Sequence, residues 1–520
     1  MKICLYIIGT ALLIPLIMAC NRPRTTNYYF NPETGNDTLN PGTSPDLPFR
    51  SVAKLADLKL NPGDSVLLKS GAEFNEPVYV HCSGNQRQPI VIGKYGGKEM
   101  PRIKTRGHSP QAVHIFNSEH IYIRDLDISN KGDTKVTGLT GILVELKEFG
   151  TAHNVTLDNL YVHDVTGSVA TDSTGGGSGI MIRNYRDNVE EPFLSRYDGL
   201  LVQNCLVKNC SRDGILMWGN WIRSKWYPSL NVVIRNNVLE GVPGYGIVPV
   251  GCLKPLIEYN VMKDCPDIMP HDAIADGIWP WACDSALIQF NTVSDMSGSV
   301  DGYGFDSDYD CKGSIFQYNL SYNNQGGFLL ICNPGGWPPD WCTGNTGTII
   351  RYNISINDGI REKRVDAHGQ PYFSPVINIT GPVKNTLIEK NLFILPKKKN
   401  SSIDRTLVHF TDWRGYADNT SFRNNYILSE EILIAWKPTK STNSIAENNL
   451  FTGNLSADTE GFREMQNLFS SKAWFDSRDP GWKILVSFIE DKAVTINGNE
   501  IKVRDLLFLE NSNYNSNKAF

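Results

Sequence analysis

The sequence has no excess of positive charge, and this absence excludes one class of partner. Its 50 Lys and Arg residues are outnumbered by 55 Asp and Glu residues, so the formal net charge is −5 at pH 7 and the isoelectric point is about 6.0. A protein that binds nucleic acid usually presents a basic stripe or patch. We therefore predict no nucleic-acid partner and a ligand that is neutral or small; we also expect a monomer.

Cysteine pairs with the spacing of metal ligands are also missing. The chain has 11 Cys but no Cys-x-x-Cys pair, so a zinc site is not supported. Cys252 and Cys283 fall at equivalent positions of two repeats described below. They could either stack as small apolar residues or form a disulfide.

A long hydrophobic run occurs only at the start of the chain, between Lys2 and Cys20. This pattern is typical of an export signal. The small residue before Cys20 resembles the end of a bacterial lipobox, in which the cysteine becomes the lipidated first residue of the mature protein. We predict a lipoprotein signal peptide over 1–19, a lipidated Cys20 and a linker over 20–27. The alternative is an uncleaved membrane anchor, because about 17 apolar residues are borderline for spanning a bilayer.

The residues after Cys20 bear on the orientation of this anchor. Surface-exposed lipoproteins of gut-type Gram-negative bacteria resemble one another in carrying an acidic run just after the lipidated cysteine. Arg22 and Arg24 stand there instead. We therefore expect an exported protein that is anchored to the outer membrane and faces the periplasm.

Turn-forming residues are abundant and weigh against a mostly helical protein. The chain contains 47 Asn and 45 Gly, both of which are poor in helix interiors and tolerate positive φ at turns. It also contains 21 Tyr, 21 Phe and 11 Trp, enough apolar material for a large core. The composition predicts a turn-rich all-β protein.

A short phrase recurs through the middle of the chain: two apolar residues, a polar one, a variable one, Asn, and an apolar one, as in VIRNNV, LIEYNV and IIRYNI. A second short strand follows in most units, usually opened by Gly. Variable loops and a bend residue in register predict stacked coils, that is, a parallel β-helix over 28–455, with a carboxy-terminal cap and polar tail over 456–520. The positions in the Asn column are Asp125, Asn159, Cys205, Asn237, Asn260, Asn291, Asn319, Asn353, Asn391, Asn425 and Asn449.

The amino-terminal segment resembles the entry segment of the pectate-lyase-like right-handed β-helix enzymes of carbohydrate breakdown. The matching residues include Gly35, Asp37, the Pro62-Gly63-Asp64 turn, and Tyr95 with Gly96. Residues 48–60 have a helical apolar pattern that would cap the first coil. The resemblance implies a right-handed β-helix acting on a carbohydrate. It does not fix the chemistry, because this fold hosts lyases, hydrolases and binding proteins.

Alignment of the Gly-opened strands predicts which side chains point outward. The first outward column contains Met181, Leu216, Val248, Trp279, Asp306 and Leu329, and the second contains Arg183, Trp218, Val250, Trp281, Asp308 and Ile331. Outward aromatic side chains suit the stacking of sugar rings. Asp is depleted in strands, so Asp306 and Asp308 on one strand suggest chemistry. We predict that they are catalytic, about 6.5–7 Å apart in a regular strand, a spacing that leans towards inverting hydrolysis.

Two other interpretations of these acids remain open. Asp306, Asp308 and Asp310 could form a Ca²⁺ site from hard oxygen ligands, or the segment could be a solvated acidic turn. Asp276 and His271 precede the Trp strand and are predicted to join the catalytic group. The predicted substrate-binding residues are Trp218, Trp279, Trp281, Arg183, Asp213 and Arg361.

The columns favour a glycoside hydrolase that acts on a plant or host glycan. A polysaccharide lyase, which this fold family also contains, needs a base and a cation or Ca²⁺ to neutralise a uronate, whereas Arg183 is the one cation in the aligned columns. A non-catalytic glycan-binding lipoprotein would use the Trp face but would not need the Asp cluster. We also expect the Trp- and Pro-rich loop 333–345 to cover part of the groove.

Overall fold

A computed structural model describes residues 25–507, except 134–137, 168–175, 187–189, 270–272, 299, 363–373, 400–402, 404, 431–433, 453–461, 465–477 and 497. Among the described residues, no helix is both long and apolar enough to cross a membrane. The predicted signal peptide, Cys20 and His271 lie outside the described residues, as does the end of the polar tail.

The chain winds through three parallel sheets, and successive coils add one strand to each. Sheet I contains Asn27–Phe30, Ser65–Lys69, Ile90–Tyr95, Ile121–Arg124, Thr151–Asp158, Arg196–Gln203, Val233–Arg235, Leu256–Glu258, Leu287–Gln289, Ile315–Gln317, Ile349–Arg351, Lys384–Glu389, Asp418–Arg423 and Ile445–Glu447, with Ser229–Leu230 and Cys252–Leu253 beside them. Sheet II contains Glu73–Phe74, Arg102–Lys104, Asp127–Asn130, Tyr161–Val165, Leu206–Cys210, Val238–Glu240, Val261–Lys263, Thr292–Ser294, Leu320–Tyr322, Ile354–Ile356, Leu392–Leu395, Tyr426–Ser429, Asn449–Thr452 and Phe462–Glu464.

Sheet III carries the predicted functional face and has two parts. The first contains Val78–Val80, Gln111–Phe116, Thr140–Glu145, Ser178–Arg183, Ile215–Trp218 and Ile247–Pro249. The second contains Tyr303–Ser307, Gly327–Cys332, Ile377–Thr380, Thr406–Thr411 and Ile434–Lys437. Single bridges through Ile278 join the two parts, and the short strands Ile274–Ala275 and Val300–Asp301 pair beside this junction.

Apolar side chains at alternate strand positions fill the interior of the coil. Ile234, Ile257, Ile288, Phe316 and Ile350 stack on successive strands of sheet I, and each is fully buried. The side chains between them point outward, as the period of two in a strand requires. This arrangement confirms the predicted all-β parallel β-helix.

The predicted Asn column forms a hydrogen-bonded ladder from Asn237 to Asn449. The Nδ2 group of Asn319, for example, donates to Oδ1 of Asn353 at 3.0 Å, and Asn319 Oδ1 accepts from the backbone N–H of Asn291 at 3.0 Å. Seven such steps connect eight Asn side chains, all of which are buried. Each Asn amide satisfies backbone groups at a bend, where hydrogen bonds between neighbouring strands are not available.

The prediction is wrong for the first two members of the column. Asp125 and Asn159 align with Asn204 and Asn236, one position before the buried column, where the backbone has positive φ. The buried column starts instead with Leu126 and Leu160. Both columns favour Asn, the first because Asn tolerates a left-handed backbone and the second because its amide bridges coils.

The cysteines of the core are packed as thiols. All nine described cysteines are free. Cys252, Cys283 and Cys311 occupy equivalent positions of successive coils, and the thiols of Cys252 and Cys283 donate to backbone carbonyls. The stacking alternative is therefore confirmed and the disulfide alternative is wrong.

Two non-β segments pack on the coils. Within the predicted helical stretch 48–60, Val52–Asp57 forms a 3-10 helix that buries Val52 and Leu55. Further on, α1 (Pro480–Ile489) packs beside the outer face of sheet II rather than over the end of the stack. It is followed by a hairpin of the strands Ala493–Ile496 and Asn499–Lys502, and then by helix α2 (Val503–Leu507). The second 3-10 helix, Arg223–Lys225, lies in the loop after Ile215–Trp218.

Candidate active site

The strand Tyr303–Ser307 places two carboxylates on the outer face of sheet III. Phe305 points into the core and is fully buried, so its neighbour Asp306 points outward. Asp308, two residues on, lies on the same side. Nevertheless, the Asp306 and Asp308 residues are only 3% and 6% exposed, because surrounding residues cover them.

A thiol from the next coil completes this cluster. Cys332 follows Ile331, which pairs with Ser307, and its Sγ lies 2.9 Å from Asp308 Oδ1 and 3.9 Å from Asp306 Oδ1. One ligand atom from each of these three side chains lies within 4.8 Å of the other two. Alignment of the Gly-opened strands predicts that Leu329 and Ile331 point outward. This prediction is wrong, because Leu330 and Cys332 point outward instead.

Two further acids lie beside the pair. Asp276 is 1% exposed, and its Oδ1 accepts the backbone N–H of Tyr303 at 2.7 Å. Asp301 ends the short strand that pairs with Ile274–Ala275. The charge of Asp301 raises the pKa of Asp276, Asp306 and Asp308, so the four carboxyls form one electrostatic group.

Burial is the largest cause of the raised pKa values in this group. It raises the pKa of Asp308 to about 7 and that of Asp301 to about 6, from an ordinary value of 3.8. Burial and the neighbouring carboxylates hold the pKa of Asp276 and Asp306 well above that value. A cluster of this kind keeps at least one carboxyl protonated at neutral pH, which suits proton donation.

An aromatic wall adjoins the carboxylates. The ring of Trp281 lies 5.1 Å from that of Trp218, 5.5 Å from that of Trp221 and 5.5 Å from that of Tyr309, measured between centroids. Trp279 is 4% exposed, and its ring meets Tyr245 edge-on at 4.9 Å. Trp218, Trp279 and Trp281 therefore lie together near the acids, as the columns indicated.

The indole N–H groups of Trp279 and Trp281 have no hydrogen-bond partner among the described residues. Both nitrogen atoms are buried. Buried donors in folded proteins are nearly always satisfied by protein, water or ligand. These two groups can therefore donate a hydrogen bond to a ligand oxygen.

The loop 333–345 covers part of this wall. Its Trp337 packs on Trp221 at 5.9 Å and on Tyr309 at 5.4 Å. Asp310 anchors the loop, because its Oδ1 accepts the N–H and Oγ1–H of Thr343 at 2.8 and 2.9 Å and the N–H of Gly344 at 3.1 Å.

This role of Asp310 excludes it from the predicted Ca²⁺ site. Its second oxygen pairs with the guanidinium of Arg223, which also reaches Asp284 at 2.8 Å. Asp306 and Asp308 meet a thiol in its place, and a thiol is a poor ligand for Ca²⁺. The structure therefore does not bring the three carboxylates of the Ca²⁺ alternative together.

Of the remaining predicted residues, Arg361 lies at the carboxylate cluster, whereas Arg183 and Asp213 lie on earlier coils. Arg361 is 5% exposed and donates to the backbone oxygen of Asp301, so it lies at the cluster. Arg183 is paired with Glu145 at 2.6 Å, on a strand four coils before Asp308. Asp213 is fully buried, and Ser178 Oγ donates to it at 2.8 Å.

Sequence reasoning missed Asp301, Cys332 and the aromatic residues Tyr309, Trp337 and Trp413. Asp301 stands in an Asp-Gly pair just before the strand Tyr303–Ser307, a signal that could have been used because Asp213 and Asp276 also precede Gly. Trp413 comes from a later coil, and its ring lies 5.2 Å from Tyr309. No local pattern links those two positions.

Comparison with known proteins agrees with this fold. The family profile described as "Right handed beta helix region" matches residues 154–357. A curated lacto-N-biosidase from Bifidobacterium longum subsp. longum is 29% identical over 470 residues, and the match covers 71% of this chain and 29% of that relative's length. The chain thus spans less than a third of that protein.

A solved structure gives a second similarity. The GH136 lacto-N-biosidase from Eubacterium ramulus, in its native and selenomethionine forms, is 25% identical with TM-scores of 0.60 and 0.61. The match covers 83% of this chain and 68% of that one. Together with the sheet topology, these findings confirm the resemblance to the pectate-lyase-like right-handed β-helix superfamily.

Proposed function

We propose that this chain is a glycoside hydrolase whose reaction takes place at the Asp306/Asp308 cluster. One observation carries the proposal: two buried carboxyls with oxygens within 4.8 Å of one another lie on the outer face of sheet III beside an aromatic wall. The similarity to lacto-N-biosidases over most of the chain supports it.

Asp308 is the proton donor in this proposal. Its pKa of about 7 leaves about half of the carboxyl protonated in neutral solution and still allows it to release the proton to a leaving oxygen. The opposing anion comes from Asp301, whose pKa burial raises only to about 6 because the charge of Arg361 acts against the increase, or from Asp306, which shares the same face but must lose its proton although burial and the Asp308 charge raise its pKa. Substitution distinguishes the two.

The separation of the carboxyls favours a retaining reaction. In a regular strand, Asp306 and Asp308 would be about 6.5–7 Å apart. In the structure, one carboxyl oxygen of Asp306 lies within 4.8 Å of one carboxyl oxygen of Asp308. Retaining glycosidases hold their carboxyls about 5–5.5 Å apart, and inverting ones about 6.5–9.5 Å.

The aromatic wall suits a glycan without negative charge. Sugar rings stack on indole faces, and the N–H groups of Trp279 and Trp281 can donate to hydroxyl or acetamido oxygens. We propose that the substrate carries the lacto-N-biose unit after which the similar enzymes are named. Residues Trp218 and Arg361 contribute to binding.

The test uses a chromogenic lacto-N-biose glycoside and a panel of plant and host glycans. Wild-type protein should release reducing ends, and the first-formed product should retain its anomeric configuration. Asp308→Asn should lower kcat by at least about 10³-fold, in the range expected for loss of an acid catalyst and its partner. Asp198→Asn, on sheet I, is the matched control and should leave turnover unchanged.

The outcomes separate the alternatives. Full activity of Asp308→Asn would refute the site, and comparison of Asp301→Asn with Asp306→Asn identifies the anionic partner. Release of products with the ultraviolet absorbance of an unsaturated uronate would indicate a lyase. Binding without cleavage of any glycan would indicate a glycan-binding protein and refute the hydrolase.

We also propose that the chain is exported as a monomer and anchored to the outer membrane through Cys20, facing the periplasm. The proposal rests on the sequence of residues 1–24. Labelling with radioactive palmitate should mark the wild type and not Cys20→Ala. Unlabelled wild type, or digestion of the protein by protease added to intact cells, would contradict the anchor or its orientation.

A further inference from the structure

Cys332 differs from the other described cysteines in what its thiol contacts. The thiols of Cys205, Cys210, Cys283 and Cys311 donate to backbone carbonyls in the coil interior. The Cys332 side chain instead points to the outer face of sheet III and is 2% exposed. Among the described cysteines, it is the one whose sulfur lies within hydrogen-bond distance of a carboxylate.

The two contacts of this thiol are unequal. Its Sγ lies 2.9 Å from Asp308 Oδ1 but 3.9 Å from Asp306 Oδ1. Burial and these two carboxyls raise the pKa of Cys332 well above its ordinary value, so the thiol keeps its proton. A thiol has one proton to donate, and the shorter distance assigns it to Asp308.

We propose that Cys332 is a positioning residue that donates its thiol proton to Oδ1 of Asp308 and thereby leaves the transferable proton on Oδ2. The inference rests on the proposed hydrolase function. In the reaction, the proton moves from Asp308 Oδ2 to the leaving oxygen, which also takes the electron pair of the broken C–O bond, while the opposing carboxylate forms a new bond to the anomeric carbon with its own electron pair. Cys332 keeps its own proton throughout, and its hydrogen bond then stabilises the carboxylate that remains.

This role predicts a shift in the pH profile. The thiol stabilises the ionised form of Asp308 and so lowers its pKa. Without the donor, the pKa of Asp308 rises, and the alkaline limb of kcat/KM moves to higher pH because the acid stays protonated longer. One net hydrogen bond corresponds to about 0.5–1 pH unit. The value of kcat should also fall, by about tenfold, because the carboxyl loses its fixed orientation.

The experiment compares pH profiles of the wild type with Cys332→Val and Cys332→Ser. Valine keeps the approximate volume but has no donor, whereas serine restores a donor. We expect the alkaline limb to move upward in Cys332→Val and to return close to the wild-type position in Cys332→Ser. Cys205→Val and Cys205→Ser are matched controls, because that thiol donates to the backbone oxygen of Gln203.

An unchanged alkaline limb in Cys332→Val, or the same shift in both variants, would overturn the proposal. A purely structural thiol would lower stability or kcat in both variants without moving the limb. If the wild type cleaves no glycan, the proposed function fails, but the hydrogen bond is still tested by carbon-13 NMR titration of the Asp308 carboxyl, assigned with Asp308→Asn. An equal Asp308 carboxyl pKa in the wild type and in Cys332→Val would then overturn the proposal.

Discussion

Replacing Asp308 with Asn should stabilise the folded protein at alkaline pH while it removes activity. Burial raises the pKa of Asp308 from 3.8 to about 7, and one pKa unit corresponds to about 1.4 kcal/mol. The folded state keeps this proton where the unfolded chain has lost it. The free energy of unfolding therefore falls as the pH rises from about 4 through about 7. Once ionised, Asp308 costs the folded state on the order of 4 kcal/mol, a cost that an amide avoids.

Urea unfolding followed by far-ultraviolet circular dichroism measures this effect at about pH 5 and about pH 8. The stability gained by Asp308→Asn should grow by about 3 kcal/mol between these conditions. The contrasting variant is Asp310→Asn, two residues away. Asp310 is 2% exposed but paired with Arg223, and loss of one partner of a buried ion pair costs about 3–5 kcal/mol.

The two variants should therefore change stability in opposite directions at alkaline pH. A stability gain for Asp308→Asn that is equal at both pH values would refute the reasoning, as would no gain at all. The result matters for function, because a carboxyl that weakens the fold when ionised is retained for its chemistry rather than for stability.

Three other substitutions test the ladder, the wall and α1. Asn319→Ala removes the acceptor for the backbone N–H of Asn291 and should lower the free energy of unfolding by about 2–4 kcal/mol; an unchanged urea midpoint would contradict this. Trp281→Phe keeps a ring but loses the unpaired N–H, so kcat/KM should fall by up to about tenfold, and unchanged kinetics would mean that no substrate oxygen meets that group. Gly481→Ala would place a methyl group 2.3 Å from the ring of Tyr352, so α1 should become more sensitive to limited proteolysis, and equal digestion rates would refute that packing.

The fold could be predicted because its signals are local and repeated. The Asn phrase occurs once per coil, and a buried amide that bridges coils requires the same residue at each level. The outward direction of Asp306, Asp308 and Trp279 also followed from strand alternation alone. These features depend only on positions within one strand and on their repetition.

Features that depend on register or on distant loops could not be predicted. Gly327 pairs with Tyr303 rather than with Gly304, so alignment by glycine is one position out of step here, and Cys332 takes the outward column in place of Ile331. Asp310 looked like a third ligand because it continues the alternation of Asp306 and Asp308. It turns instead to meet Arg223, which is 87 residues earlier in the chain.

The outer face of sheet III is a grid, and this determines how a site on it can change. Neighbouring coils are about 4.8 Å apart, and alternate residues of one strand are about 6.6–6.8 Å apart. Each outward side chain therefore has two coordinates, its coil and its position in the strand, and Cys332 lies one coil from Asp308 at the same position. A substitution such as Trp279→Asp would move a carboxylate by one coil without altering the backbone. Sites built on loops have no such fixed spacing, so a solenoid of this kind can acquire new chemistry one side chain at a time.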